Sequence, residues 1–306
     1  MLDVRRLRLL RELAARRTVT AVAEALSYTP SAVSQQLAAL ERDAGVPLTE
    51  RVGRGLRLTD AGRRLVEHAD AVIARLEAAE VDLAASAGHV SGRVRIASFQ
   101  TGAHALVIPA IGPLEARYPE LQCELLQADA ETALPALRLG DVDMVLAEEY
   151  DHAPRTRDPA LEHRELCRDA LVFAVPVGHP AAEKDAIAFA DLRDDEWAGG
   201  EPGTAWNDMI ERACRSLGGY EPDVRHHVDD VRLILSLVAQ RRAVGIVPAL
   251  GLRTEIEGFV WRPPAEGALD RKIFTAVRRG TTDRPALQAV WAEMAGQARA
   301  LGLETP

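Results

Sequence analysis

Ser31, Ser34 and Gln35 place two hydroxyls and an amide on one face of a short segment. A Gln amide can pair with adenine edges, and a Ser hydroxyl can bond bases or phosphate. Further along, Arg51, Arg54 and Arg57 recur every third residue around Gly53 and Gly55. Guanidinium groups spaced in this way suit phosphates or a narrow minor groove. A second set of residues has a different chemistry. Ser98, Gln100, Thr101 and Thr204 offer neutral hydrogen bonds, and Asp129, Glu148, Glu201 and Asp229 offer carboxylates. The two sets imply two tasks, duplex reading and small-molecule binding.

The elements that must position the first set are helical. Leu2, Leu7, Leu10, Leu13 and Ala14 recur at helical spacing, which predicts an amphipathic helix over residues 3–17. Thr20 is expected to cap a short second helix over 21–26. Thr29 is expected to cap a third, with Pro30 at its favoured first position and Gly45 closing it. Val33, Leu37 and Leu40 form the buried stripe of that third helix, leaving Ser31, Ser34 and Gln35 outside. Two short helices joined by a tight turn fit a helix-turn-helix, whose second helix enters the major groove. Residues 47–59 then read as an Arg-tipped hairpin, a wing. From spacing alone, a plain helical bundle with solvated arginines stays open.

The residues themselves narrow this. Residues 2–65 resemble the winged helix-turn-helix of LysR-type transcriptional regulators. The stretches that carry the resemblance are Thr18-Val-Thr-Ala-Val-Ala-Glu-Ala-Leu26, Thr29-Pro-Ser-Ala-Val-Ser-Gln-Gln-Leu37, Leu40-Glu41, Gly45-Val-Pro-Leu48, Glu50-Arg51 and Leu58-Thr59-x-x-Gly62. The resemblance implies that Thr20, Thr29, Pro30, Ser31, Ser34 and Gln35 belong to the DNA-reading elements, and Arg51 and Arg54 to the wing. There are departures from the family pattern. Pro30 then Ser31 stand where Gln then Pro are usual, Gln35 where Arg is frequent, and Thr49 where Phe is usual.

Residues 60–87 read as one long helix. Leu65, Ala69, Val72, Leu76, Ala79 and Leu83 follow a 4-3-4-3-4 spacing, with Val66 and Ile73 widening the seam. Such a stripe needs a partner helix. Packing on the chain's own regulatory domain is one solution; pairing with a second copy, as the family does, is the expected one. The resulting homodimer, and a homotetramer built from it, would join two DNA half-sites into one target. Gly88-His-Val-Ser-Gly92 closes the helix as a hinge.

Beyond residue 93 the pattern alternates strand and helix. Strands are expected at 94–98, 121–127, 143–147, 170–175, 224–228, 244–247 and 273–277. Helices are expected at 103–117, 131–139, 205–217, 230–241 and 284–301. Alternation predicts an α/β domain with mostly parallel sheets. Crossings near 148–159 and 260–264 divide it into a first subdomain, 93–153 with 264–306, and a second, 154–263. That is the periplasmic-binding-protein-like effector domain the resemblance implies, supported more loosely by Arg138-Leu-Gly-Asp-Val-Asp-Met-Val-Leu146 and Gly245-Ile-Val-Pro248. The fold class is therefore α/β, with an α-dominated winged helix-turn-helix over 1–59 and a linker helix. In open α/β sheets, ligands sit where strands end and helices begin. This rule selects Ser98, Gln100, Thr101, Asp129, Glu201, Thr204 and Asp229 of the second set; Glu148, at the crossover, is expected to face the same cleft. Inward-facing acids would imply an effector with a positive or amino group. Glu131 and Asp230 read equally well as first-turn residues stabilised by the helix dipole.

The overall charge first argues against nucleic acid. The chain has 306 residues, 37 Lys and Arg, 46 Asp and Glu, and a formal charge of −9. Residues 1–65, however, carry 12 Arg and 7 acids, a net of +5. The other 241 residues carry a net of −14, so the basic part coincides with the predicted DNA-reading elements. No apolar run is long enough to cross a bilayer, and three scattered cysteines form no Cys-x-x-Cys. The cytoplasm is the expected location. No nucleophile elbow, Walker loop, zinc-protease motif or dinucleotide fingerprint occurs, so an enzyme is not expected. The expectation is a transcription regulator that binds double-stranded DNA, takes a small-molecule effector, needs no cofactor or metal, and meets RNA polymerase. An architectural DNA-binding protein and a ligand-binding protein are the alternatives.

Overall fold

The computed structural model describes residues 1–25, 28–52, 55–86, 90–150, 157–253 and 255–305. The chain divides into two compact units, 1–89 with 279–284, and 90–278 with 285–306.

In the first unit, α1 (Val4–Arg16) starts at Asp3, whose carboxylate accepts from the Arg5 and Arg6 amides. Helix α2 (Val19–Ala25) follows. Its first turn is capped by Thr18, not Thr20: Thr18 Oγ1 accepts from Ala21 N at 3.2 Å. The helix starts two residues earlier than its composition suggests, so Thr20 falls inside it and is exposed. Helix α3 (Pro30–Ala44) begins as expected, with Thr29 Oγ1 accepting from Ala32 N at 3.2 Å. It ends at Gly45, whose φ of 72° suits a residue without a Cβ. Leu10, Val22, Val33, Leu37, Leu40, Leu48 and Ala69 form the core. Strands β1 (Thr49–Val52) and β2 (Gly55–Leu58) pair antiparallel, Thr49 opposite Leu58 and Glu50 opposite Arg57.

Helix α4 (Asp60–Ser86) leaves the wing at Gly62, where an added Cβ would lie 2.1 Å from the Leu48 carbonyl oxygen. Only glycine allows this approach. The heptad seam does not act as one surface. Val66, Ala69 and Ile73 are buried, whereas Val72, Leu76 and Leu83 are 43%, 43% and 73% exposed.

The second unit opens with β3 (Gly92–Ser98). Helix α5 (Gln100–Gly102) continues through a π-helical turn, Ala103–Val107, into α6 (Ile108–Arg117). Then come β4 (Leu121–Gln127), α7 (Ala130–Leu139), β5 (Met144–Tyr150) and the long β6 (Leu161–Pro176). The chain continues through β7 (Glu196–Gly199), α8 (Ala205–Ala213), β8 (Asp223–His227) and α9 (Val231–Ala239). It closes with β9 (Gly245–Pro248), β10 (Phe259–Arg262), β11 (Asp270–Arg278) and α10 (Pro285–Ala300).

The main sheet runs β10-β6-β11-β5-β3-β4, with β9 also on β6. It is mixed, which corrects the expectation of mostly parallel pairing. Among the described residues of this sheet, only β3 with β4 and β3 with β5 are parallel, while β6 and β11 run against their neighbours; β7 with β8, in a separate sheet, is also parallel. The reason is β6, which threads both subdomains. Its first half pairs with β11 and its second half with β9 and β10. Residues 260–262, expected to be a crossing, are part of strand β10. Of the first expected crossing, residues 151–156 lie outside the described residues.

Two lobes follow from the cores. Phe173, Phe189, Trp197, Ile210, Ile234 and Ile246 belong to one. Ile96, Leu106, Leu121, Ile273, Val290 and Met294 belong to the other. Ala133, Leu137, Val145 and Phe274 fill the opposite face of the second lobe's sheet.

Candidate functional site

In the first unit, α3 presents Ser31, Ser34 and Gln35 to solvent while Val33 and Leu37 are buried. The hydroxyls are partly engaged. Thr29 Oγ1 lies 3.0 Å from Ser31 Oγ, and Ser34 Oγ donates to Pro30 O at 2.9 Å. Gln35 has no side-chain hydrogen bond among the described residues, so its amide is available to a partner. Gln36 is held instead: its Oε1 accepts from Arg6 Nε at 3.1 Å, and Arg6 also pairs with Asp43 at 2.6 Å. Arg6 thus fixes the base of α3 to α1.

Glu41 fixes α3 to the wing. One of its oxygens accepts from Leu48 N at 2.8 Å, Thr49 N at 2.8 Å and Thr49 Oγ1 at 2.9 Å. Sequence reasoning placed Glu41 in a recognisable stretch but gave it no role. Within the wing, Arg57 pairs across the hairpin with Glu50 at 2.7 Å, while Arg51 is exposed. Arg54 lies outside the described residues.

The second unit contains a cavity of about 210 Å³ between its two lobes. Gln100, Thr101, Asp129, Glu148, Thr204 and Asp229 all line it. Two expected residues do not. Ser98 is fully buried, and its Oγ donates to Phe99 O at 3.0 Å, because the last residue of β3 points into the lobe. Glu201 is exposed and serves through its backbone. Its N–H donates to Asp229 Oδ1 at 3.4 Å, and its carbonyl accepts from Thr204 Oγ1 at 2.8 Å. Asp129 and Thr204 also cap α7 and α8. His226 and His227 lie on β8, where His227 Nδ1 is 3.0 Å from Gly200 O. Among the described residues, no group of three potential metal ligands converges.

Arg271 is the residue that sequence reasoning missed. Its side chain is 3% exposed at the cavity floor. Its Nε donates to Asp169 Oδ2 at 2.9 Å and one Nη to Thr101 Oγ1 at 2.8 Å; the other Nη pairs with Glu148. The guanidinium also lies 4.9 Å from the Phe99 ring centre. Asp169, fully buried, accepts from Leu250 N at 3.1 Å with its other oxygen. The network therefore joins the start of α5, the threading strand and the second lobe. Tyr150 donates to Glu148 at 3.0 Å. Burial first, and the Glu148 carboxylate next, push its phenol well above the ordinary value, so it remains a donor. Two polar atoms of the lining have no partner, Gln100 Oε1 and Trp206 Nε1.

The three cysteines are free. Burial pushes the Cys167 and Cys214 thiols up to about 12 and that of Cys123 up to about 11. Among the described residues, no helix is long and apolar enough to cross a membrane.

Comparison with known proteins identifies both domains. Residues 4–63 match the model of the bacterial regulatory helix-turn-helix protein, lysR family, and residues 87–299 match the LysR substrate binding domain. The transcriptional dual regulator GltC of Bacillus subtilis is 26% identical over 266 residues, 87% of each chain. Full-length OxyR of Pseudomonas aeruginosa, a cysteine variant, superposes with a TM-score of 0.70 at 18% identity, over 96% of this chain and 95% of that one. Full-length BenM superposes with a TM-score of 0.60 at 21% identity, over 100% of this chain and 99% of that one. The two structural matches show a shared fold, and the family matches span both units. The chain belongs to the LysR family: it is a DNA-binding transcription regulator with an effector-binding domain.

Proposed function

We propose that Ser31, Ser34 and Gln35 of α3 read base edges, with Arg51 and Arg54 of the wing on phosphates. Thr29 and Pro30 shape the first turn of α3. The effector sits between the two lobes, against Gln100, Thr101, Asp129, Glu148, Thr204 and Asp229. A ligand there binds one arrangement of the lobes better than another and so shifts its population. The regulator works in the cytoplasm as a dimer through α4, and as a dimer of dimers, and meets RNA polymerase at its promoters.

The observation that carries the effector reading is the cavity itself. Five polar residues chosen by the strand-end rule line it together with Glu148 of the crossover, and Trp206 Nε1 and Gln100 Oε1 face no protein partner. A buried donor left unpaired costs about 1–3 kcal/mol, which a ligand can recover. The test is a thermal-shift screen of metabolites on the full chain, repeated on Thr101→Val. A ligand of this cavity raises the melting temperature by mass action, and binds at least about tenfold more weakly to the variant. Equal shifts in both chains would contradict the placement.

A further inference from the structure

The charge and ring content of the cavity say more than its position. Asp129, Glu131, Glu148 and Asp229 all line it, and Arg271 is the only basic side chain among the described lining residues. That single guanidinium is already held by Glu148 and by Asp169, a fifth carboxylate behind the wall. A carboxylate ligand entering here would meet a surplus of like charge. Like charges in a partly desolvated site repel strongly, whereas an opposite charge is drawn in and focused.

Independent of the acids, the aromatic content of the lining points the same way. The chain has only 13 Phe, Trp and Tyr residues, and three of them, Phe99, Tyr150 and Trp206, line this cavity. Phe99 already faces the Arg271 guanidinium. Trp206 is 8% exposed, and its indole Nε1 has no hydrogen-bond partner. Indole is the ring best suited to a neighbouring cation. Its N–H asks for an oxygen acceptor, and the unpartnered Gln100 Oε1 asks for an N–H donor.

We infer that the effector carries a protonated nitrogen, an ammonium or guanidinium, together with an oxygen acceptor. The nitrogen sits among Glu148, Asp229 and Asp129, against Trp206 and Gln100. The oxygen faces the indole N–H. This rests on the reading of the cavity as the effector site and adds the ligand's charge to it.

The experiment is a thermal-shift titration of the full chain with three matched series of short-chain probes. One series is ω-amino alcohols, one is amino acids, and one is ω-hydroxy carboxylates. The proposal predicts shifts in the amino series, zwitterions included, and none in the carboxylate series. It further predicts that Asp229→Asn, an isosteric change on an exposed residue, weakens the best amino probe at least about threefold, the scale of one partly screened ion pair. Carboxylates that shift the chain as well as the amines, or amines that give no shift, overturn the proposal. A carboxylate whose shift disappears in Thr101→Val overturns the charge assignment but leaves the site. A probe of any series indifferent to both Thr101→Val and Asp229→Asn overturns the site itself.

Discussion

Glu41, near the end of α3, takes both the backbone N–H and the hydroxyl of Thr49, at 2.8 and 2.9 Å, on a single carboxylate oxygen. The same oxygen also takes Leu48 N at 2.8 Å. These bonds fix the wing relative to α3. Thr49, which departs from the family's usual aromatic residue, supplies two of the three donors, one of them through its side-chain hydroxyl. Removing the acceptor strands part-buried donors. We expect Glu41→Ala to cost the first unit about 2–3 kcal/mol, read by thermal melting of its helical signal. Glu41→Gln, which keeps an acceptor, should cost less. A change below about 0.5 kcal/mol in Glu41→Ala would show that the link carries no stability.

Arg271 poses the opposite problem, a buried charge with several partners. Arg271→Met leaves Asp169 and Glu148 without their cation. Breaking a buried pair in this way costs about 3–5 kcal/mol. All four tryptophans, Trp197, Trp206, Trp261 and Trp291, lie in the second unit, so their fluorescence in urea follows that unit. The paired change Arg271→Met with Asp169→Asn should recover part of the loss, because it removes the uncompensated charge. A single variant within about 1 kcal/mol of the parent would remove Arg271 as the anchor of the cavity floor.

Helix α4 leaves Val72, Leu76 and Leu83 exposed on one chain while Ala69 and Ile73 are buried. A charge in that apolar stripe opposes pairing. If copies pair through α4 as proposed, Leu76→Asp should give a monomer by sedimentation, with the overall fold unchanged. The monomer should bind DNA far more weakly, since each half-site then binds alone. A Leu76→Asp dimer of unchanged stability would mean that copies associate elsewhere.

The thiols bear on how signals enter. With Cys167 and Cys214 pushed up to about 12, and Cys123 up to about 11, almost no thiolate exists at neutral pH. The thiolate is the reactive form. Labelling of the folded chain by a disulfide reagent should therefore be slow, and become fast only on unfolding. Rapid labelling of the native chain would favour a thiol-based signal over a ligand in the cavity.

What was legible in the sequence was local. Thr29, Pro30 and Gly45 mark α3 because capping acts within one turn of the chain. Thr18 and Thr20 lie two residues apart, and composition does not say which one begins the helix. The first half of β6, with Glu162, His163, Arg164 and Glu165, reads as a charged loop, since its polar residues conceal a strand paired on its partner β11. The strand-end rule places Ser98 at the cavity one position too early, because a strand's last residue can face either side. Arg271 was invisible. Its partner Asp169 lies 102 positions away, and nothing in Asp270-Arg271-Lys272 marks the middle residue as buried.

In the proposed reading, the first unit reads sequence through α3 and holds phosphate through the wing. In vitro selection from random duplex DNA tests it most directly, using the full chain alongside Gln35→Ala and Arg51→Ala. The account predicts that the parent enriches a motif with two related half-sites. Gln35→Ala should lose preference at a position in each half-site, worth about 1–3 kcal/mol. Arg51→Ala should keep the motif, bind all sequences more weakly, and lower the salt slope by about one. No enriched motif, or one that Gln35→Ala leaves unchanged while Arg51→Ala alters it, would contradict the account.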